Sequence, residues 1–198
     1  MGNTTTNHVR ALVTQAQQGD IDSFGQLVRL YQQKVFGLCI KLTGNPTDAE
    51  DLAQEAFMKS YQKIHTFRNE ADFGTWMHRI TVNLYLNQKK KNAKMELTYI
   101  DEPVKTNKGN MQREIMDETS DPLQEVEKQE TKRLLQEALN SLSPEHKLVL
   151  VLREMEGYSY DEIARLTGST LGTVKSRMNR ARAALKQKLS QQKHAASQ

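Results

Sequence analysis

The stretch from Tyr160 to Ala181 constrains this chain more than any other. Its apolar residues recur every three or four positions on both sides of Gly168, so it reads as two short helices joined by a tight turn. Ser159 followed by Glu162 is a capping-box start for the first helix, and Ile163 and Leu166 form its apolar side. Gly168 suits the left-handed residue that ends a helix, and Ser169 or Thr170 can cap the next one. In that second helix Val174, Met178, Ala181, Leu185 and Leu189 form one apolar stripe. Gly172, Thr173, Ser176, Asn179 and Arg180 fall on the opposite face, flanked by Lys175 and Arg177. A helix of that kind, with short hydrogen-bonding groups edged by cations, suits the major groove of DNA. The candidate contacts to duplex DNA are Thr170, Thr173, Lys175, Ser176, Arg177 and Arg180.

Charge is distributed accordingly. The net charge of +4 is a weak pointer to a polyanionic partner. Its placement says more: every charged side chain from Arg165 to Lys193 is Lys or Arg, whereas residues 101–130 are rich in carboxylates. Cys39 is the single cysteine, which excludes a disulfide framework and a cysteine-rich zinc site. The five histidines (8, 65, 78, 146 and 194) have no metal-ligand spacing, and there is no HExxH or phosphate loop. Neither enzyme activity nor a cofactor or metal is expected. No apolar run approaches the ~18 residues of a membrane span, and the N-terminus lacks the regions of a signal peptide. The expected location is cytoplasmic.

Read in order, the chain gives helical spacing throughout and no sustained strand-like alternation, so the expected class is all-α. Val9, Leu12, Val13 and Ala16 mark a first helix that stops at Gly19, and Asp20 can cap a second from Phe24 to Leu42. Gly44-Asn45-Pro46 ends that helix, and Thr47 with Glu50 forms a capping box for a third, reaching Tyr61. A fourth runs from about Phe73 to Lys91, with Trp76, Ile80 and Leu84 at spacings of four. His78, Arg79, Asn83, Asn87 and Lys89 to Lys91 gather donors and cations on it, chemistry suited to phosphates and unpaired bases.

Periodicity is then lost until Ser120, and Asp121-Pro122 restarts it with a capping residue and a proline in the first turn. Ser143-Pro144 begins another helix by the same device, and its Leu148 to Leu152 run is apolar all round, hence buried. Two small helical domains follow, at 1–92 and 121–198, joined by a flexible linker at 93–120. A flexible chain of that length has a typical end-to-end distance of ~30 Å.

These segments together resemble the sigma-70 family of bacterial RNA polymerase sigma factors, in its extracytoplasmic-function group. Gly19-Asp20 with Phe24, Leu27 and Tyr31 is similar to the start of the family's second conserved region. Asp48-Ala-Glu-Asp-Leu-Ala-Gln-Glu-Ala-Phe57 and Phe73-Gly-Thr-Trp-Met-His-Arg-Ile-Thr-Val-Asn83 resemble the motifs that follow it. Leu142-Ser-Pro144, Gly157-Tyr158 and the helix-turn-helix resemble the fourth region. The resemblance implies that Asp48, Glu50, Asp51, Gln54 and Phe57 bind core RNA polymerase. It implies that Trp76, His78, Arg79, Asn83, Lys89 and Lys90 meet the melted −10 element of the promoter. The C-terminal helix-turn-helix is then the reader of the duplex −35 element, and an anti-sigma factor becomes a further expected partner.

Two rival classes share some of these features. A stand-alone regulator with a C-terminal helix-turn-helix accounts for Tyr160 to Ala181 equally well. It does not account for two successive functional faces on the third and fourth helices, nor does the chain show a long dimer seam. An enzyme acting on DNA would need a site, and Asp48, Glu50 and Asp51 are explained by the preference of a helix's first turn for acids.

Overall fold

A computed structural model describes residues 2–98 and 122–196, with side chains for 7–95 and 129–192. Its α-helices are α1 (Gly2–Gln17), α2 (Ile21–Thr43), α3 (Pro46–Lys63), α4 (Phe73–Thr98), α5 (Pro122–Asn140), α6 (Pro144–Leu150), α7 (Tyr160–Thr167) and α8 (Leu171–Ala196). Among the described residues there is no strand, as an all-α chain requires. The helices form two compact units, with α1, α4 and nearly all of α2 and α3 in the first and α5 to α8 in the second.

Local chemistry sets most helix starts. Asp20 accepts from the Asp22 backbone N–H at 3.1 Å and begins α2. Asp72 accepts from the Thr75 N–H at 3.1 Å and begins α4, a cap that sequence spacing alone had not singled out. Ser143 accepts from the His146 N–H at 3.4 Å, with Pro144 in the first turn of α6. Two expectations shift. Helix α3 begins at Pro46, so Thr47 lies inside it and is not its cap. Helix α4 continues past Lys91 to Thr98. The rest of the expected linker, residues 99–120, and the Asp121 cap lie outside the described residues.

In the first unit the aromatic residues at the start of α4 close the core. Phe73 meets Tyr31 of α2 at 5.1 Å between ring centroids, and Phe67 at 5.7 Å, both edge-on. Trp76 tilts against Phe67 at 5.1 Å. The buried row of α4 is Phe73, Met77, Thr81 and Tyr85, while the neighbouring line of Trp76, Ile80 and Leu84 is only half-buried. Thr81 is fully enclosed because its hydroxyl donates to the Met77 carbonyl at 3.0 Å, which removes the cost of burying it. Burial pushes the Cys39 thiol up to about 12, which leaves it an unreactive core group.

In the second unit α8 packs on α5, α6 and α7. Val174, Met178 and Ala181 are fully buried, while Leu185 and Leu189 are half-buried. Each large side chain so enclosed contributes roughly 1.5–3 kcal/mol. The Leu148 to Leu152 run is buried as expected, but from Val151 to Met155 the helix widens into a π-turn. The Glu156 N–H reaches back five residues to the Val151 carbonyl at 3.0 Å, and Gly157 at φ 77° then turns the chain.

Candidate nucleic-acid interface

The helix-turn-helix is built as its sequence dictates. Ser159 and Glu162 form both halves of the capping box: the Ser159 hydroxyl accepts from the Glu162 N–H, and the Glu162 carboxylate accepts from the Ser159 N–H at 2.8 Å. The Ser159 hydroxyl also donates to that carboxylate, and these bonds hold Glu162 below its ordinary carboxylate range. Gly168, at φ 63°, supplies the left-handed residue of the turn, and the Ser169 N–H closes it on the Ala164 carbonyl at 3.0 Å. Thr170, not Ser169, caps α8: its hydroxyl accepts from the Thr173 N–H at 3.1 Å.

With Val174, Met178 and Ala181 buried, the other face of α8 is turned to solvent. Thr170, Gly172, Lys175, Ser176, Asn179 and Arg180 are exposed, and Thr173 and Arg177 are half-exposed. Arg182, one step beyond, pairs with Glu154 at 2.6 Å. Both partners are about half-exposed, so the pair orients Arg182 more than it stabilises the fold. Arg153 lies over the Tyr160 ring at 5.2 Å and donates to the Tyr158 carbonyl at 3.0 Å. It braces the entry to α7.

In the first unit α3 and α4 present two different faces. On α3, Asp48, Glu50, Asp51 and Gln54 are exposed, and Phe57 is half-buried. Met58 and Tyr61 extend this face as apolar exposed groups, with Tyr61 edge-on to Phe24 at 4.9 Å. On α4, Arg79, Asn83 and Lys90 are exposed, while Lys89 is half-buried with its ammonium 5.8 Å from the centroid of the Tyr85 ring. Trp76 is half-buried in the aromatic cluster.

His78 requires a correction, since it is only 8% exposed while Arg79 and Asn83 lie at the surface. Gln88, which sequence reasoning passed over, donates to Glu55 at 2.8 Å and ties α4 to α3. Among the described residues no cluster of His, Cys, Asp or Glu is arranged to hold a metal ion, and no helix is long and apolar enough to cross a membrane.

Fold and site together define a helical protein of two units, one of them a helix-turn-helix with a cationic outward helix. Residues 27–95 match the family model for Sigma-70 region 2, and residues 132–185 match that for Sigma-70, region 4. The chain is 32% identical over 182 residues to the ECF RNA polymerase sigma factor SigW of Bacillus subtilis, covering 91% of this chain and 96% of that one. It is 34% identical over 183 residues to the ECF RNA polymerase sigma-E factor of Haemophilus influenzae, covering 91% and 94%. Among solved structures it is similar to the sigma factor RpoE of Bartonella quintana in complex with the anti-sigma factor NepR, with a TM-score of 0.64. That likeness holds at 25% identity over 86% of this chain and 98% of the other. The chain belongs to the extracytoplasmic-function group of the sigma-70 family. As a sigma factor it acts with core RNA polymerase and directs promoter-specific transcription initiation.

Proposed function

We propose that the two units divide the promoter between them. Helix α3 docks on core RNA polymerase through Asp48, Glu50, Asp51, Gln54 and Phe57, with Met58 and Tyr61 adding apolar contact. Helix α4 engages the −10 element as it melts, with Arg79, Lys89 and Lys90 on phosphates and Asn83 on an extruded base. Trp76 and His78 support that helix from the core side. Capture of an extruded base offsets the few kcal/mol that unstacking costs. Helix α8 reads the −35 element as duplex through Thr170, Thr173, Lys175, Ser176, Arg177 and Arg180.

The observation that carries this reading is the contrast between exposed faces. An acidic face on α3 repels DNA and suits a protein partner, whereas α4 and α8 offer amides and cations. The same reading puts the protein in the cytoplasm, where polymerase and promoter are. It also makes an anti-sigma factor a partner, as NepR is for the Bartonella quintana protein.

Site-directed photocrosslinking tests the division. The full chain, carrying a photoreactive residue at position 83 or at position 176, is assembled with core polymerase on promoter DNA. Position 83 is expected to label the strand near the start site, and position 176 the duplex farther upstream. Labelling of one and the same element from both positions would sink the proposal.

A further inference from the structure

The groups along the outward row of α8 are not equally available to a base. Thr173 and Thr170 share a hydroxyl–hydroxyl bond of 2.8 Å. The Ser176 hydroxyl donates to the Thr173 carbonyl at 3.0 Å, so its proton is already committed. Arg177 donates to Ser169 at 3.2 Å, and Arg182 is held by Glu154. Among the described residues, Lys175, Asn179 and Arg180 are exposed and make no hydrogen bond or ion pair of this kind.

Two of these three are cations, suited to phosphate or to the acceptor edge of guanine. Asn179 differs. Its amide sets a donor and an acceptor side by side, the complement of the N7 acceptor and N6 donor that adenine shows in the major groove. Asparagine is also a poor helix former, so an exposed one inside a 26-residue helix brings no gain in local stability. Its position is suitable. From Thr173 to Asn179 the helix advances ~9 Å, while base pairs stack ~3.4 Å apart. The row therefore spans about three base pairs, and Asn179 lies within it beside Arg180.

We infer that Asn179 is a specificity-determining residue that reads an adenine in the major groove of the upstream duplex element, next to the base pair met by Arg180. This rests on the assignment of α8 to that element. It adds a seventh contact to the six read from the sequence, and gives that contact a base.

The test is a competition for transcription among promoter duplexes randomised through the upstream element, using the full chain assembled with core polymerase. Wild type is expected to select adenine at one position next to a selected guanine. Asn179→Ala should reduce the adenine preference on the order of tenfold at that position and leave the others intact. Asn179→Asp should move the preference toward cytosine, whose N4 amine a carboxylate accepts. Such a change of preferred base cannot come from a loss of folding. If wild type selects at the upstream element but Asn179→Ala leaves every position unchanged, the inference falls alone. A uniform loss across all sequences also overturns it, by making Asn179 a backbone contact. If wild type shows no upstream selection at all, the assignment of α8 falls with it.

Discussion

Arg177 reaches back across the turn of the helix-turn-helix to Ser169, its Nη1 donating to the Ser169 Oγ at 3.2 Å. Arg180, three residues on, is exposed and makes no such tie among the described residues. The two arginines are therefore expected to behave differently. Arg180→Ala should cost ~1–3 kcal/mol and relax preference at a single base pair. Arg177→Ala should weaken binding of all sequences alike and lower the salt dependence by about one counterion. Binding to singly substituted duplexes over a salt series separates the two. An equal loss on every duplex for Arg180→Ala would make it a phosphate contact.

The exposed acids of α3 bear on polymerase. Asp51 is on the surface, one turn on from Asp48, so reversing its charge leaves the core untouched. Asp51→Lys is expected to weaken assembly with core polymerase roughly tenfold, or ~1.4 kcal/mol. Its thermal unfolding should stay within ~0.5 kcal/mol of wild type. Unchanged polymerase affinity in a sedimentation or fluorescence titration would remove α3 from the interface.

Asn83 lies on the exposed face of α4, four residues on from Arg79. If it holds an extruded base, Asn83→Ala should impair promoter opening more than closed-complex binding. Permanganate reactivity of thymines near the start site reads opening directly, and gel retardation at low temperature reads the closed complex. Normal permanganate reactivity in the variant would count against the assignment.

The capping box of α7 makes the second unit sensitive to acid. The Ser159 hydroxyl, then its backbone N–H, hold the Glu162 carboxyl below its ordinary value. A carboxyl depressed in the folded state stabilises the fold above its unfolded value of about 4.3. That contribution is lost as pH falls through the folded value. Denaturant unfolding followed from neutral pH downward should show this loss. Glu162→Gln should flatten the profile at low pH, and Ser159→Ala should cost about 1 kcal/mol at neutral pH. An unaltered acid limb in Glu162→Gln would show that the box contributes nothing to it.

Much of the architecture was legible because it is local. Ser159 and Glu162, Asp20, Ser143-Pro144 and Gly168 act within a few residues of themselves, so their spacing alone specifies where helices begin and end. The alternation of Val174, Met178 and Ala181 with Ser176, Asn179 and Arg180 likewise fixes which face of α8 is polar. The exceptions are where a neighbour decides. Asp72 caps α4 from a loop of weak pattern, and Gln88 matters only because Glu55 of another helix is within 2.8 Å.

The sequence by itself determined that the chain is helical, where most of its helices start, and that its C-terminal helix-turn-helix carries a cationic, hydrogen-bonding face. Tertiary structure decided which of two neighbouring strips on a helix becomes core. On α4, Trp76–Ile80–Leu84 and Met77–Thr81–Tyr85 are both spaced by four and lie ~100° apart, so periodicity cannot choose between them. The rings of Tyr31 and Phe67 choose, by enclosing Phe73 and the row below it, and His78 is carried inward. In α8 the buried stripe is plain in the sequence. That Arg177 is tethered while Asn179 and Arg180 stand exposed is decided by the turn at Gly168, which brings Ser169 back within reach of the helix it precedes.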